Sequence, residues 1–506
     1  MILIYPPISI PTEPPIGIAN LSGALKKHSI SHEIVDLNIE GIYWLLNNAY
    51  PSEDIWSKRA IKNMEKNIQN IKNGALFKNI SRYKKAVYEI NRILEIYALK
   101  KGIKITLSDY TDKNLSPLRS KDLIDSAKNF KENPFYNFFS ERLSFLLSSN
   151  SPDFIGLSIN YLSQALCAFA IIGFLKSNYR HIKIVVGGGL INSWVKRGMK
   201  KDLFNGLIDH IVAGQGESHL LSLLNVKPLH HSVYEPNYER FKKELYLSYG
   251  FVLPYSTSTG CYWARCSFCP ERAEGNVYIQ KKPEVIAQKL TRIVNETKPS
   301  LIHITDNAIH PYVLDAIIKN PPCALWYGFV RINKEMEDLD YCIKLKQSGC
   351  VMLKIGIESA DQDVLRRMKK GLNIETVKKV LKNLKIAGIG TYIYLLFGTP
   401  FETDKSHKKT MDFVIEHHDL IDFMNIAIFN MPINTPDNRD IIFKSFYEGD
   451  LSLYMDFEHP KGLNRLYVRR FIEKTFKKQT EIKTIIDRQP PFFTSNHAPF
   501  FVMAKS

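Results

Sequence analysis

Short apolar runs alternate with amphipathic stretches along most of this chain. Residues 2–5 (ILIY) are an apolar run closed by Pro6-Pro7, Gly17 opens a helical stretch, IANLSGALKKHS, and residues 32–38 (HEIVDLN) predict a second strand. The pattern resumes with a strand at 153–158, a helix at 161–176, a strand at 182–186 and a short strand at 208–212. Strands alternating with helices predict a parallel, doubly wound sheet. Its strand ends carry Gly187-Gly188-Gly189 and AGQGE at 213–217, where glycines admit a large ligand; such turns also serve as plain connections. Residues 39–150, rich in Lys, Asn and aromatic residues, have helical periodicity in 55–102 and 119–149 and read as a helical insertion that covers one face of the sheet.

From about 250 to 430 the strand-then-helix pattern repeats. Strands are expected at 252–258, 301–305, 325–330, 351–357, 390–397 and 422–428, with helices at 283–297, 334–348, 361–370, 374–387 and 404–417. Six such units predict a (β/α)6 partial barrel, whose working face is the carboxyl end of the strands. Polar residues gather at those ends: Thr305-Asp306-Asn307, Arg331, Glu358-Ser359 and Gly398-Thr399-Pro400. Residues 431–506 hold a proline-containing loop and a helix at 464–478, an extension expected to close the barrel, with His497 as a candidate substrate contact.

Composition narrows the classes. The chain has 506 residues, 45% of them hydrophobic, and 68 Lys+Arg against 51 Asp+Glu give a net charge of +17. That excess suits acidic partners, although a solvated lysine-rich surface explains it as well. Residues 1–15 lack a basic segment and a long apolar core, and no apolar stretch is long enough to span a bilayer; the expectation is a cytoplasmic protein without a signal peptide. Seven cysteines, an odd number with three clustered, fit a reducing compartment.

Those three, Cys261, Cys266 and Cys269, form a C-x4-C-x2-C loop directly after the first barrel strand. A structural zinc site closes its tetrahedron with a fourth Cys or His, and none lies nearby. Three thiolates on a [4Fe–4S] cluster leave one iron open for a small molecule. Cluster, zinc and chance clustering remain the three readings of the loop by itself. Cys167, Cys323, Cys342 and Cys350 have no ligand spacing and read as buried apolar residues.

Taken together, GCYWARCSFC at 260–269, IGIESA at 355–360, MKKG at 368–371, AGIGTYIYLLFGTPFET at 387–403 and NIAIF at 425–429 resemble the radical S-adenosylmethionine (SAM) superfamily. The loop departs from the C-x3-C-x2-C of most members by one residue. In the N-terminal part, Pro6-Pro7, Gly17, Asp36-Leu37-Asn38, GLS at 156–158, VVGGG at 185–189 and GQGE at 214–217 resemble the cobalamin-binding domain that precedes many such cores. Other cobalamin proteins carry D-x-H-x-x-G with a cobalt-ligating histidine. Here Asn38 holds that position, which implies a cobalt without a lower histidine ligand.

The resemblance implies three regions: a cobalamin-binding-like Rossmann domain at 1–235, a radical SAM partial barrel at 236–430 and an α-rich C-terminal extension at 431–506. It implies that Cys261, Cys266 and Cys269 ligate the cluster, and that Phe268, Asp306, Arg331, Glu358, Ser359, Tyr394, Leu396 and Gly398 surround SAM. Asn38, Ser158, Gly187, Gly188, Gly214, Gly216 and Glu217 would face cobalamin. Competing structural roles are a helix cap for Glu358, an ion pair for Arg331 and a rim hydrogen bond for Asp306. The implied activity is reductive SAM cleavage to a 5′-deoxyadenosyl radical, for cobalamin-dependent C-methylation of an unactivated carbon in a small molecule or peptide. An external flavodoxin- or ferredoxin-like donor would supply the electron to a monomeric enzyme. The alternatives are a radical rearrangement, cyclisation or ring contraction with cobalamin as electron relay or absent, and a non-catalytic iron–sulfur or zinc protein with a nucleic-acid or protein partner; nucleic acid is not expected, because no known binding module is present.

Overall fold

The first apolar run is strand β1 (Ile2–Tyr5), buried at all four residues because it lies inside a parallel sheet with helices on both faces. A computed structural model describes residues 1–50, 54–99, 102–149, 151–228, 234–435, 441–445 and 449–505. It resolves into two units: Met1–Phe251 with Tyr447–Leu453 and Pro491–Thr494, and Val252–Phe446 with Tyr454–Pro490 and Ser495–Ser506.

In unit 1, α1 (Ile16–Lys27), β2 (Glu33–Asp36) and α2 (Leu37–Asn47) follow β1. The strand expected over 32–38 stops at Asp36 because that side chain accepts hydrogen bonds from the amides of Asn38 and Ile39, both at 3.1 Å, and so starts the next helix. The insertion brings α3 (Ile55–Lys72), α4 (Ile80–Leu99), α5 (Ser120–Lys128) and α6 (Tyr136–Ser149), with a hairpin, Ile103–Ile105 against Tyr110–Asp112. The sheet resumes with β3 (Phe154–Ser158), α7 (Leu162–Asn178), β4 (Lys183–Gly187), α8 (Gly189–Lys196), β5 (His210–Ile211) and α9 (Gly216–Leu223). Strand order is β2-β1-β3-β4-β5, all parallel, so the order reverses beside β1 as in a doubly wound sheet. Helix α7 is buried at every position from Gln164 to Leu175, covered by the sheet and by the insertion. Gly173 admits this contact: a Cβ there would meet the Ala127 carbonyl oxygen of α5 at 1.9 Å.

Residues 236–251, expected with the barrel, belong to unit 1. The Tyr246 hydroxyl donates to Asp36 Oδ2 at 2.6 Å, and Leu247 N donates to the Pro11 carbonyl at 2.9 Å. Burial raises Asp36 from 3.8 to about 6, against the hydrogen bonds from Tyr246, Ile39 and Asn38. The folded state therefore binds this proton more tightly than the unfolded chain does. Stability contributed by protonated Asp36 is present below pH 3.8 and lost as pH rises to about 6, to a total of about 3 kcal/mol. Asp36→Asn keeps the cap and the contact with Tyr246 while removing the titration. Urea midpoints of wild type are expected to fall between pH 4 and pH 6.5 relative to those of the variant; parallel pH profiles would contradict this assignment.

Unit 2 holds six parallel strands: β6 (Val252–Tyr255), β7 (Leu301–Ile309), β8 (Trp326–Val330), β9 (Cys350–Glu358), β10 (Gly390–Phe397) and β11 (Phe423–Ile428). They are ordered as they occur in the chain, β6 to β11, which makes the expected partial barrel. The connecting helices are α10 (Pro283–Thr297), α11 (Pro311–Lys319), α12 (Leu339–Gln347), α13 (Gln362–Arg367), α14 (Ile374–Ile386) and α15 (Asp404–Glu416). Helix α11 was not expected, and β7 runs four residues past the predicted end at 305. Its polar triplet Thr305-Asp306-Asn307 lies within a strand that shifts register between Ile304 and Ile309.

Beyond the barrel, the region expected as a loop contains a three-stranded antiparallel sheet, Met431–Pro432, Tyr454–Phe457 and Phe443–Ser445. Helix α16 (Arg465–Lys474) ties onto the edge strand's end, where Arg465 donates to Asn430 Oδ1 at 2.6 Å. Helices α17 (Thr480–Asp487) and α18 (Ala498–Met503) complete the chain; Val502 packs on Gly390, at the start of β10. His497 is fully buried, so it is not an exposed substrate contact. Among the described residues no helix is long and apolar enough to cross a membrane.

Candidate functional site

The cysteine loop leaves β6 through a small hairpin, Ser258–Thr259 against Ile279–Gln280. Asp306 fixes its root. It is 6% exposed and accepts from Thr257 N at 2.7 Å, from Ser258 Oγ at 2.6 Å and from the Thr257 hydroxyl. Burial raises its pKa, opposed by those donors. Asp306 is thus a rim hydrogen-bond partner that anchors the loop, rather than a group open to a ligand.

Cys261, Cys266 and Cys269 are free and half-buried, and Cys261 lies close enough for its charge to oppose ionisation of Cys266 and Cys269. Burial pushes the Cys269 thiol up to about 11 and raises Cys266, the latter against the pull of Lys370 and Arg331. Thiols in such a place become thiolates by binding metal. Among the described residues no three His, Cys, Asp or Glu side chains converge on one ion-sized point.

The loop is fastened to the turn at 368–371. Ser267 N donates to the Met368 carbonyl and Trp263 Nε1 to the Lys369 carbonyl, each at 3.0 Å. Gly371, at φ +66°, presses against the Trp263 ring, which a Cβ would meet at 2.3 Å. Arg331 lies 4.1 Å over the same ring and donates to the Lys370 carbonyl at 2.6 Å. It therefore braces the loop; the ion pair expected as its structural role is replaced by backbone acceptors.

Lys370 turns inward. Its ammonium pairs with Glu358 at 2.8 Å, both side chains being largely buried, and lies 5.5 Å over the Phe268 ring. Glu358 ends β9 at φ +69°, a conformation that costs energy in a non-glycine residue. Gly356 makes room, since a Cβ there would meet Glu358 Oε1 at 2.6 Å and Lys370 Nζ at 2.9 Å. Glu358 is thus an ion-pair partner, not the helix cap that Asp361 supplies to α13. Ser359 is fully buried, and its hydroxyl meets Thr410 of α15 at 3.3 Å, behind the barrel.

On β10, Tyr392, Tyr394 and Leu396 share one face by strand alternation, while Phe397 packs among His407, Phe471 and Phe476. The Tyr394 ring lies 4.7 Å from Phe329 and 5.2 Å from Tyr392. Deeper in, Lys354, 7% exposed, sits 5.0 Å over Tyr327, which stacks on His303. Gly398, at φ +84°, turns the chain against Val468 of α16. Sequence reasoning gave no role to Trp263, Lys370 or Lys354. The MKKG turn was visible as a string; its contacts across the rim were not.

In unit 1 the carboxyl edge of the sheet brings Gly17, Ser158 and Gly187–Gly189 together. Ser158 Oγ lies 3.8 Å from a Cβ placed on Gly17, and it accepts from Asn160, whose Oδ1 accepts from Gly189 N. Gly188, at φ +108°, leaves no space for a side chain beside Ile159. Gly214 is open on its Cβ side, and Gly216 and Glu217 form the first turn of α9. Asn38 stands apart from these. It is 1% exposed, and its amide accepts from Ser9 N at 2.8 Å and donates to the Ser9 carbonyl at 3.0 Å. Its side chain is closed to a ligand. Of the remaining cysteines three are buried as expected, but Cys323 is exposed.

Residues 255–414 match the model of the Radical SAM superfamily. The bacteriochlorophyllide d C-12(1)-methyltransferase of Chlorobaculum tepidum is 35% identical over 72 residues, covering 14% of this chain and 16% of that enzyme. Among solved structures, the fold is similar to the radical SAM methyltransferase TsrM of Kitasatospora setae with tryptophan and a SAM analogue bound, at 15% identity and a TM-score of 0.51, over 86% of this chain and 74% of that one. It is also similar to the cobalamin-dependent SAM radical enzyme OxsB with aqua-cobalamin bound, at 16% identity and a TM-score of 0.50, over 86% of this chain and 53% of that one. The chain spans about half of OxsB and a small part of the curated relative.

Proposed function

We propose, from the match of residues 255–414 to the Radical SAM superfamily, that this enzyme cleaves SAM reductively and uses the resulting radical for cobalamin-dependent C-methylation. The observation that carries the reading is the three half-buried thiols on one rim loop, fastened beside a buried Lys370–Glu358 pair. When bound, a [4Fe–4S] cluster supplies the electron that splits SAM into methionine and a 5′-deoxyadenosyl radical, and cobalamin supplies a methyl carrier.

The chain's own residues hold and exclude. Cys261, Cys266 and Cys269 would ligate the cluster. Lys370 and Glu358 offer one positive and one negative group at the barrel mouth for the charged methionyl end of SAM. Phe268, Tyr394 and Leu396 give apolar surface to its adenosine. Arg331 acts through the loop by holding Trp263 and the turn, and Asp306 acts through the loop's root. Around cobalamin, Ser158, Gly187, Gly188, Gly214, Gly216 and Glu217 fit a broad ligand at the open strand edge of unit 1. Asn38, its amide bonded to Ser9, would not offer its side chain to that group.

The test is anaerobic purification with cobalamin supplied, then iron, sulfide and cobalt analysis and product detection with SAM and dithionite. Four irons, one cobalt and 5′-deoxyadenosine are expected per chain. Cluster and SAM cleavage without cobalt would move the reading from methyl transfer to a radical rearrangement.

A further inference from the structure

Lys354 of β9 is 7% exposed, and its register partners are Phe329 of β8 and Tyr392 of β10. Side chains alternate along a strand, so directly paired residues of parallel neighbours share a face. Lys354 also shares the face of Gly356, against which the Glu358–Lys370 pair lies, and sits about 7 Å further back along the strand. Leu353, Ile355 and Ile393, on the opposite face, are fully buried. Rings surround the ammonium. It lies 5.0 Å over Tyr327, which stacks on His303 at 4.5 Å with the planes 5° apart. A filled barrel interior buries such positions, yet His303 and Phe329 keep part of their surface open.

Resting on the function proposed above, we propose that the substrate is an aromatic monocarboxylate, anchored by its carboxylate at Lys354 with its ring system against His303 and Phe329. The depth of the charge is the first reason. An ammonium in a surrounding of low dielectric attracts an anion far more strongly than one at the surface, and it repels a cationic substrate. The walls are the second. Rings gain from offset or edge-on contact with other rings beyond the area they bury, which an aliphatic chain does not match. The count of charge is the third: one ammonium balances one carboxylate, whereas a phosphate dianion would carry a surplus charge into the interior. Anchoring at this depth also fixes which end reacts. The carboxylate points away from the cysteine loop, so the carbon that receives the methyl group lies at the far end of the molecule.

The test titrates the full chain, its cluster reconstituted and SAM present, with four probes: 2-naphthoate, its neutral isostere 2-naphthamide, 2-naphthyl phosphate and cyclohexanecarboxylate. Calorimetry of the wild type is expected to show 2-naphthoate binding at least about tenfold more tightly than each of the others. In Lys354→Met the preference of naphthoate over naphthamide disappears, and Lys354→Arg restores part of it. The wild-type comparison needs no variant, so it decides the matter even if Lys354→Met fails to fold. Equal binding of acid and amide by the wild type, binding of neither, or a preference that survives in Lys354→Met would overturn the proposal. Tighter binding of the phosphate or of the aliphatic acid would overturn its substrate class. A SAM affinity that falls in Lys354→Met together with that for naphthoate would make Lys354 part of the SAM site instead. Failure of the underlying function has a different signature: wild type with full iron that forms no 5′-deoxyadenosine from SAM and dithionite, a result independent of the titration.

Discussion

Cys266→Ala is expected to give a folded protein that retains less than a tenth of the wild-type iron and cleaves SAM at least about a thousandfold more slowly. The fold survives because the thiol is no part of what fastens the loop. Ser267 N, Trp263 Nε1 and the Asp306 acceptors do that without any cysteine sulfur. Loss of iron in a variant with wild-type circular dichroism and urea midpoint would therefore report on ligation alone. Two thiolates cannot hold a four-iron cluster in the geometry that leaves a single iron open. A variant that keeps its iron and its cleavage activity would end the ligand assignment. One zinc and no iron in the anaerobically purified wild type would end it too.

The second large effect is expected at Lys370. Lys370→Ala leaves the Glu358 carboxylate largely buried without its 2.8 Å partner, and removing one member of a buried pair costs about 3–5 kcal/mol. The barrel unit should lose stability by that order in urea, and SAM affinity should drop at least about tenfold. A double variant, Lys370→Met with Glu358→Gln, separates the two effects. It removes both charges at similar volume, so most of the stability should return while SAM affinity stays low. Recovery of both together would make the pair a structural brace with no part in holding SAM.

The barrel was legible because each unit repeats one arrangement. The run 350–357, apolar but for Lys354 and repeating the strand-then-helix pattern of its neighbours, reads as a buried strand, and its polar terminus, Glu358, falls at the strand's end. Helix α11 escaped notice for a local reason. The run from 301 is interrupted by Thr305-Asp306-Asn307, which reads as a strand end, yet the backbone shifts register there and continues. That displaced the expected start of whatever followed, although His310 caps and Pro311 opens a nine-residue helix. The rim's wiring was hidden for a different reason. Nothing in a single sequence says that the lysine of MKKG reaches a glutamate twelve positions earlier, or that Trp263 seeks a glycine in that turn. Asn38, which the resemblance sets facing cobalamin, has its amide bonded to the backbone of Ser9, a pairing across 29 positions that the sequence pattern does not show.

The fastening of the cysteine loop bears on the order of events at the ribosome. The bond from Trp263 joins residues 106 positions apart, so the thiols are synthesised well before the turn that holds them exists. At about 5 to 20 residues per second that interval is roughly 5 to 20 seconds, during which three closely spaced cysteines sit on an unfastened segment. Assembly machinery that loads iron then meets a pliable ligand; machinery that waits meets a loop already clamped in place.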